Sequence, residues 1–284
     1  MLRIGVLGIE KLIEIRRPPG LVVLLPKIDV LLDMPSDAEI DEQAIKEDIH
    51  RIINASIKGK ITAIEDLSAD IIKKFSKHRA KQAEVRMEAE YVVYRKTPVS
   101  GQRTQATHKI LAKALSENGR VKKMVGAEVT GMASCPCAQE GLTEHAREEL
   151  KFSKEETEKI LNTVPVASHN QRNVATLYIE VPEEYDLEIE GLIELLENSM
   201  SSKIYEVLKR KDEVHVVLES YKNPYFVEDI VRKILIEVVK RYRDLPDESI
   251  IFAKSESFES IHQHNAIAER TSSLKELRNE VNSA

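Results

Sequence analysis

Tryptophan is absent from this sequence, and cysteine occurs only twice, as Cys135 and Cys137. Two thiols one residue apart can hardly form an unstrained disulfide, and no other cysteine can pair with them, which excludes a disulfide-stapled scaffold. They are free thiols in a reducing compartment, or metal ligands. No apolar run approaches the roughly 18 residues of a membrane span, and the N-terminus carries no signal-peptide pattern, so a cytoplasmic protein is expected. Nor is positive charge in excess. The 42 Lys and Arg stand against 48 Asp and Glu, a net charge of −6 and the opposite of the balance that general DNA or RNA binding uses.

What is present is enough for a full core. The 284 residues suffice for one large domain or two modest ones, and 42% hydrophobic with 32% charged residues is a globular composition. Glu, Lys and Arg dominate the charge, compatible with a thermophilic protein. The hydrophobic pattern predicts two strand runs within 2–32, separated by the turn Arg16-Arg17-Pro18-Pro19-Gly20. A helix is expected after Pro35, capped by Ser36 or Asp37, with Ile40, Ile45, Ile49, Ile52 and Ile53 on one face. A second helix is expected over 64–78. Ala83 to Tyr94 alternates between apolar and charged residues and predicts a half-buried antiparallel strand. Thr97 to Gly101 reads as a turn, Thr104 to Leu115 as a helix, and Val121 to Ala133 as a strand ending at the cysteines. The charged stretch 140–162 reads as a helical, solvated connector. Beyond it the pattern predicts strands over 173–181, 213–220 and 249–257, and helices over 187–199 and 225–243. Strands then helices then strands, in each half, give an α+β class. The expected organisation is a first unit over 1–139, a connector over 140–163 and a second unit over 164–284.

Three short stretches carry chemistry: Ser134-Cys135-Pro136-Cys137-Ala138-Gln139, Ser168-His169-Asn170-Gln171-Arg172, and Ile261-His262-Gln263-His264-Asn265. They supply thiolates, imidazoles and a guanidinium, the donors of a metal site that handles an anionic substrate. A structural zinc site normally needs two ligand pairs and there is no second cysteine pair, so a mixed Cys/His site is the reading. Gln171 and Arg172 beside His169 are polar groups that a buried strand does not tolerate without a task. His262 and His264, two residues apart beside an extended run, share a face and can both reach one metal. Glu213 and Glu228 read as surface carboxylates, Glu228 near the start of a long helix where the dipole favours it.

These motifs resemble those of the type I-B and type IV GTP cyclohydrolases, and the resemblance spans nearly the whole chain. It runs through Arg16-Arg17-Pro18, Asp33-Met34-Pro35, Thr97-Pro98-Val99-Ser100-Gly101, Gly126-Ala127-Glu128-Val129, the three stretches above, Ser199-Met200-Ser201, Lys209-Arg210-Lys211-Asp212-Glu213, Phe226-Val227-Glu228-Asp229 and Glu259-Ser260. The charged insert resembles the archaeal type IV members of the methanopterin pathway. The family's Lys-Gly-x-His-Met-Ser-Arg motif has no counterpart: the region reads Ser36-Asp37-Ala38-Glu39-Ile40-Asp41-Glu42, and the nearest histidine is His50.

The resemblance implies a tunnelling fold with two units per chain, antiparallel sheets with helices outside, and assembly into a homo-oligomer, a dimer or tetramer, with interface active sites. It implies metal ligands at Cys135, His169, Glu213 and the His262/His264 pair, and a pterin-anchoring glutamate at Glu228. Cys135, His169 and His264 are the catalytic candidates, and Gln171, Arg172, Arg103 and Lys122 the further substrate-binding ones. Fe(II) is the expected metal, with Zn or Mn as alternatives. The implied reaction opens the purine of GTP at C8, releases formate and forms a dihydroneopterin phosphate, with a 2′,3′-cyclic phosphate in type IV, as the first step of pterin or tetrahydromethanopterin biosynthesis. Two alternatives remain open: a nitrile reductase-like enzyme with Cys135 as nucleophile, and a pterin-binding paralogue of weak or no activity.

Overall fold

The computed structural model describes residues 2–17, 20–35, 41–59, 63–75, 82–117, 120–149 and 152–283. Eight strands form one continuous sheet in the order β1 (Leu2–Glu10), β4 (Lys27–Met34), β5 (Gln82–Lys96), β6 (Arg103–Glu117), β7 (Arg120–Ser134), β8 (Asn170–Val181), β9 (Ile250–Ser257) and β10 (Ala266–Ser273). Every neighbouring pair is antiparallel. A separate hairpin pairs β2 (Ile13–Arg17) with β3 (Gly20–Leu24). Helices α1 (Glu42–Ile57), α2 (Ile64–Phe75), α5 (Ile189–Ser199), α6 (Arg210–Lys222), α7 (Val227–Arg241) and α8 (Leu274–Ser283) belong to this body. The insert supplies α3 (Pro136–Glu149) and α4 (Lys154–Thr163). Helix α2 packs on β5 to β7, α5 on β7 and β8, and α7 on β9 and β10. The α+β class is as expected.

The alternation in β5 shows why this sheet has one covered face. Val85, Met87, Ala89 and Tyr91 are buried under the helices, while Arg86, Glu88 and Glu90 are exposed on the other side. That other face carries cross-strand ion pairs, Lys113 to Glu84 and Lys109 to Glu128, both at 3.1 Å. Ile49, Ile52 and Ile53 of α1 and the apolar side of α2 are buried as their spacing predicts, and Ile45 packs partly buried against the same core. None of the described helices is long and apolar enough to cross a membrane.

Several expectations are corrected. Residues 2–32 hold four strands rather than two. The cap of α1 is Asp41, whose carboxylate accepts the Ala44 N–H at 3.0 Å; Ser36, Asp37 and Ile40 lie outside the described residues, as does the 76–78 end of the second predicted helix. The predicted helix at 104–115 is strand β6. It pairs with β5 along its whole length, and that ladder overrides the helix propensity of its Ala, Lys and Leu residues. The predicted strand at 213–220 is helix α6. The connector is two helices: α3 has no buried residue, and α4 is started by a capping box between Ser153 and Glu156. Strand β10 and helix α8 extend the chain beyond the predicted elements.

Helix α6 is tied to the Thr97–Gly101 turn by Asp212, which is fully buried. Its carboxylate accepts Val99 N–H at 2.9 Å, Ser100 N–H at 2.8 Å, Ser100 Oγ at 2.6 Å and Lys209 N–H at 3.1 Å. Burial alone would raise the pKa of this group, but the Ser100, Val99 and Lys209 donors more than reverse that and hold it well below the ordinary Asp value of 3.8. A depressed carboxylate contributes stability that is complete above the unfolded pKa and is lost as pH falls through the lower folded one. Asp212→Asn is therefore expected to lower the urea midpoint at neutral pH and to flatten the loss of stability below the ordinary Asp value. An unchanged midpoint would contradict this account.

Candidate functional site

Strand register builds the site. Ser134 pairs with Asn170 at the shared end of β7 and β8, so the next pair out is Cys135 and His169. The Cys135 N–H donates to the His169 carbonyl at 3.1 Å, and Ser168 Oγ donates to the Cys135 carbonyl at 2.7 Å. On the other side of β8, Asn173 pairs with Ser257, and the same register carried two residues outward sets Gln171 opposite Glu259. The Phe258 N–H donates to the Arg172 carbonyl at 2.9 Å, and the chain then turns through His262 and His264. Helix α7 is brought in by the Tyr225 N–H, which donates to the Ser134 carbonyl at 3.1 Å. Three loops and one helix start thereby meet at one end of the sheet.

The Ser199-Met200-Ser201 motif fixes the end of β7. Met132 forms a bridge with Ser202, and Ser201 Oγ accepts the Ser134 N–H at 3.2 Å. Met200 lies directly over Gly131, where a Cβ would sit 2.6 Å from the Met200 sulfur. No larger residue fits there without displacing Met200 or the strand.

A cavity of about 250 Å³ results, lined by Cys135, His169, Gln171, Glu228, Glu259, His262 and His264, with Tyr225 and Ser257 among its other walls. His262 and His264 are stacked, with ring centroids 5.3 Å apart, and His169 meets His262 edge-on at 6.2 Å. His169 Nδ1 lies 3.0 Å from Gln171 Oε1 and 3.8 Å from Glu259. Gln171 Nε2 donates to both Ser257 Oγ and Glu259 Oε1 at 3.0 Å. Glu228, in the first turn of α7, makes no hydrogen bond or ion pair among the described residues, whereas its neighbour Asp229 accepts the Phe226 N–H at 3.2 Å.

Of the residues singled out from sequence, the structure brings together Cys135, His169, Gln171, Glu228, His262 and His264. Cys137 is exposed in the first turn of α3 and does not line the cavity. Glu213 is exposed in the first turn of α6, and Arg172 is exposed on the opposite side of β8 from Gln171; neither lines the cavity. Arg103 lines a separate open groove with Arg95 and Lys96. Lys122 pairs with Glu180 near the start of β7, about 40 Å along the strand from Cys135, so within one chain it cannot reach the cavity. Sequence reasoning assigned no role to Glu259 or Ser257. Their signal was the register of β8 against β9, which a single sequence does not reveal.

The cavity's donor set tests the fit of a metal. One thiol, three imidazoles and the carboxylates of Glu228 and Glu259 surround it, the mixed S, N and O chemistry that suits iron or zinc. Among the described residues no three of these groups already converge at ligand distance. The two exposed histidines sit in the loop between β9 and β10, where side chains can rotate onto an ion.

Comparison with known proteins identifies the fold and the family. Solved uricases share the architecture: a hyper-thermostable AgUricase gives a TM-score of 0.58 at 7% identity, covering 96% of this chain and 92% of that one. The uricase of Arthrobacter globiformis gives 0.56 at 6% identity, covering 96% and 93%. At such identities the likeness speaks for the fold alone, the tunnelling fold. Residues 1–268 match the family described as type I GTP cyclohydrolase folE2. The GTP cyclohydrolase MptA of Methanococcus aeolicus is 43% identical over 98% of this chain and 94% of its own. That of Methanobrevibacter smithii is 41% identical over 98% and 93%. With a family match along almost its full length and relatives this similar, the chain belongs to the type I GTP cyclohydrolase family of enzymes.

Proposed function

We propose that this protein is a metal-dependent GTP cyclohydrolase of the archaeal, type IV kind. It adds water at C8 of the guanine, opens the imidazole ring, releases C8 as formate and closes a pterin ring with ribose carbons. The product is 7,8-dihydroneopterin 2′,3′-cyclic phosphate, with diphosphate leaving. The observation that carries this reading is the single cavity where Cys135, His169, His262, His264 and Glu228 meet. Cys135, His169 and one of His262 or His264 hold the metal, Fe(II) in the first instance. A bound divalent ion supplies a lowered pKa for water at neutral pH. Glu228 presents two unpaired acceptor oxygens to the N–H edge of guanine, a bidentate match. The imidazole of the His262/His264 pair that is not a ligand gives or takes a proton.

The polyphosphate needs cations that this cavity lacks within one chain, and Arg103 and Arg172 are the candidates for supplying them. Assembly fits the same need. The sheet ends in β1 and β10, whose outer edges pair with no other strand among the described residues, and such edges are covered or paired in a stable protein. We therefore propose a homo-oligomer, a dimer or tetramer, visible by light scattering. A fully active monomer would contradict it.

The test is anaerobic, Fe(II)-loaded protein with GTP, measuring formate and the mass of the pterin. Stoichiometric formate with a cyclic phosphate product is expected. GTP or pterin binding without formate would instead mark a binding paralogue, and NADPH-dependent, metal-independent turnover of a nitrile would mark the reductase alternative.

A further inference from the structure

We propose that Glu259 is a positioning residue that, acting through Gln171, fixes the proton of His169 on Nδ1 and leaves the lone pair on Nε2. A carboxylate accepts hydrogen bonds and has none to give. Glu259 Oε1 lies 3.0 Å from the Gln171 amide, so that end of the amide must be the NH2 group. Ser257 Oγ, also 3.0 Å away, accepts the second N–H. The amide oxygen is thereby turned toward His169, 3.0 Å from Nδ1. An amide oxygen only accepts, so Nδ1 must carry the hydrogen, and in a neutral ring the lone pair falls on Nε2. Were the amide reversed, its NH2 would face Nδ1 and force the other tautomer, while its oxygen would face the Glu259 carboxylate. Glu259 excludes that second state.

The site is built to hold this chain of bonds. The His169 and Glu259 side chains are each only 11% exposed. Gln171 and Ser257 are held on paired strands by the β8–β9 register, and Phe258 is tied to Arg172 by its backbone. Ser260 Oγ approaches the same Gln171 oxygen at 3.5 Å, adding a second donor on that side. The amide that sequence reasoning offered to substrate is thus occupied at both ends. Metal-bound histidines commonly give their second nitrogen to such a partner, which fixes the ring and its tautomer.

The consequence for metal binding rests on the proposed function, but the tautomer itself does not, and the experiment separates them. In metal-free, full-length protein with 15N-labelled histidine, long-range proton–nitrogen correlation should show His169 as the Nδ1–H form, its signal assigned by its loss in His169→Asn. In Glu259→Gln, whose amide can donate as well as accept, His169 should show a mixture of tautomers, and Glu259→Asp should restore Nδ1–H. Zn(II) affinity, read by competition with a chromophoric chelator, should fall about 10- to 100-fold in Glu259→Gln. Wild-type His169 found as Nε2–H overturns the proposal and needs no variant to fold. So does a folded Glu259→Gln protein with pure Nδ1–H and unchanged Zn(II) affinity. If wild type binds no Zn(II) at this site while the tautomer still follows Glu259, the positioning stands and the metal-site reading fails.

Discussion

Cys135→Ser is expected to lose its bound metal and at least about a thousandfold in GTP turnover, with Cys137→Ser close to wild type in both. The two cysteines are distinguished by where β7 stops. Ser134 is its last residue, and Cys135 is held against His169 by its own N–H and by Ser168 on its carbonyl. Pro136 then begins α3, a position where its missing N–H costs nothing. Cys137 is carried around the helix into solvent. Only Cys135 thereby shares a cavity with His169, His262 and His264. Serine keeps the size of the side chain but replaces a soft thiolate by a poorly ionised hydroxyl, a weak ligand for iron or zinc. Loss of the metal removes several kcal/mol of transition-state stabilisation, and about 4 kcal/mol is about a thousandfold in rate. Metal analysis and formate release on both variants decide the matter. Equal metal content in both variants and wild type would sink the assignment.

Glu228→Gln is expected to keep the fold and the metal but to weaken GTP binding by at least about tenfold. Two accounts of Glu228 compete. If it serves only the helix dipole, the substitution costs at most about 1 kcal/mol of stability and leaves turnover intact. The geometry weakens that account, because Asp229 already accepts the Phe226 N–H at the same helix start, while Glu228 lines the cavity and makes no hydrogen bond or ion pair among the described residues. If Glu228 anchors guanine, glutamine sets an NH2 against a donor of the base. A mismatched polar pair costs about 1–3 kcal/mol, and about 1.4 kcal/mol is a factor of ten in affinity. Isothermal titration with GTP under metal-loaded conditions reads this directly. Unchanged affinity in a folded, metal-loaded variant would remove the guanine anchor and with it much of the cyclohydrolase reading.

Local pattern was legible wherever burial was one-sided. Strand β5 shows it, with Val85, Met87 and Ala89 inward and Arg86, Glu88 and Glu90 outward, and so do the isoleucines of α1. It failed where local propensity and tertiary context disagreed. In β6 the core-facing residues Ile110, Ala112 and Ala114 are interleaved with apolar Leu111, which blurs the period, and the strand is held by β5 and covered by α2. In α6 the β-branched Val214, Val216 and Val217 suggest a strand, yet only Val216 is buried. Asp212, bonded to a turn more than 100 residues away, fixes the helix start.

The sequence by itself determined the chemistry that the site can do, because thiol, imidazole and carboxylate groups are properties of residues, and their motifs are short and local. Tertiary structure alone decided which of them meet. Cys135 and His169 are 34 positions apart and become neighbours because Ser134 pairs with Asn170; Gln171 reaches Glu259 because Asn173 pairs with Ser257. Glu213, Arg103 and Lys122 carry equally suitable charges and are held elsewhere on the chain by α6, β6 and β7. Register between strands is set by the summed burial of whole faces, where a slip of one residue would turn every side chain over, and no single motif encodes that sum.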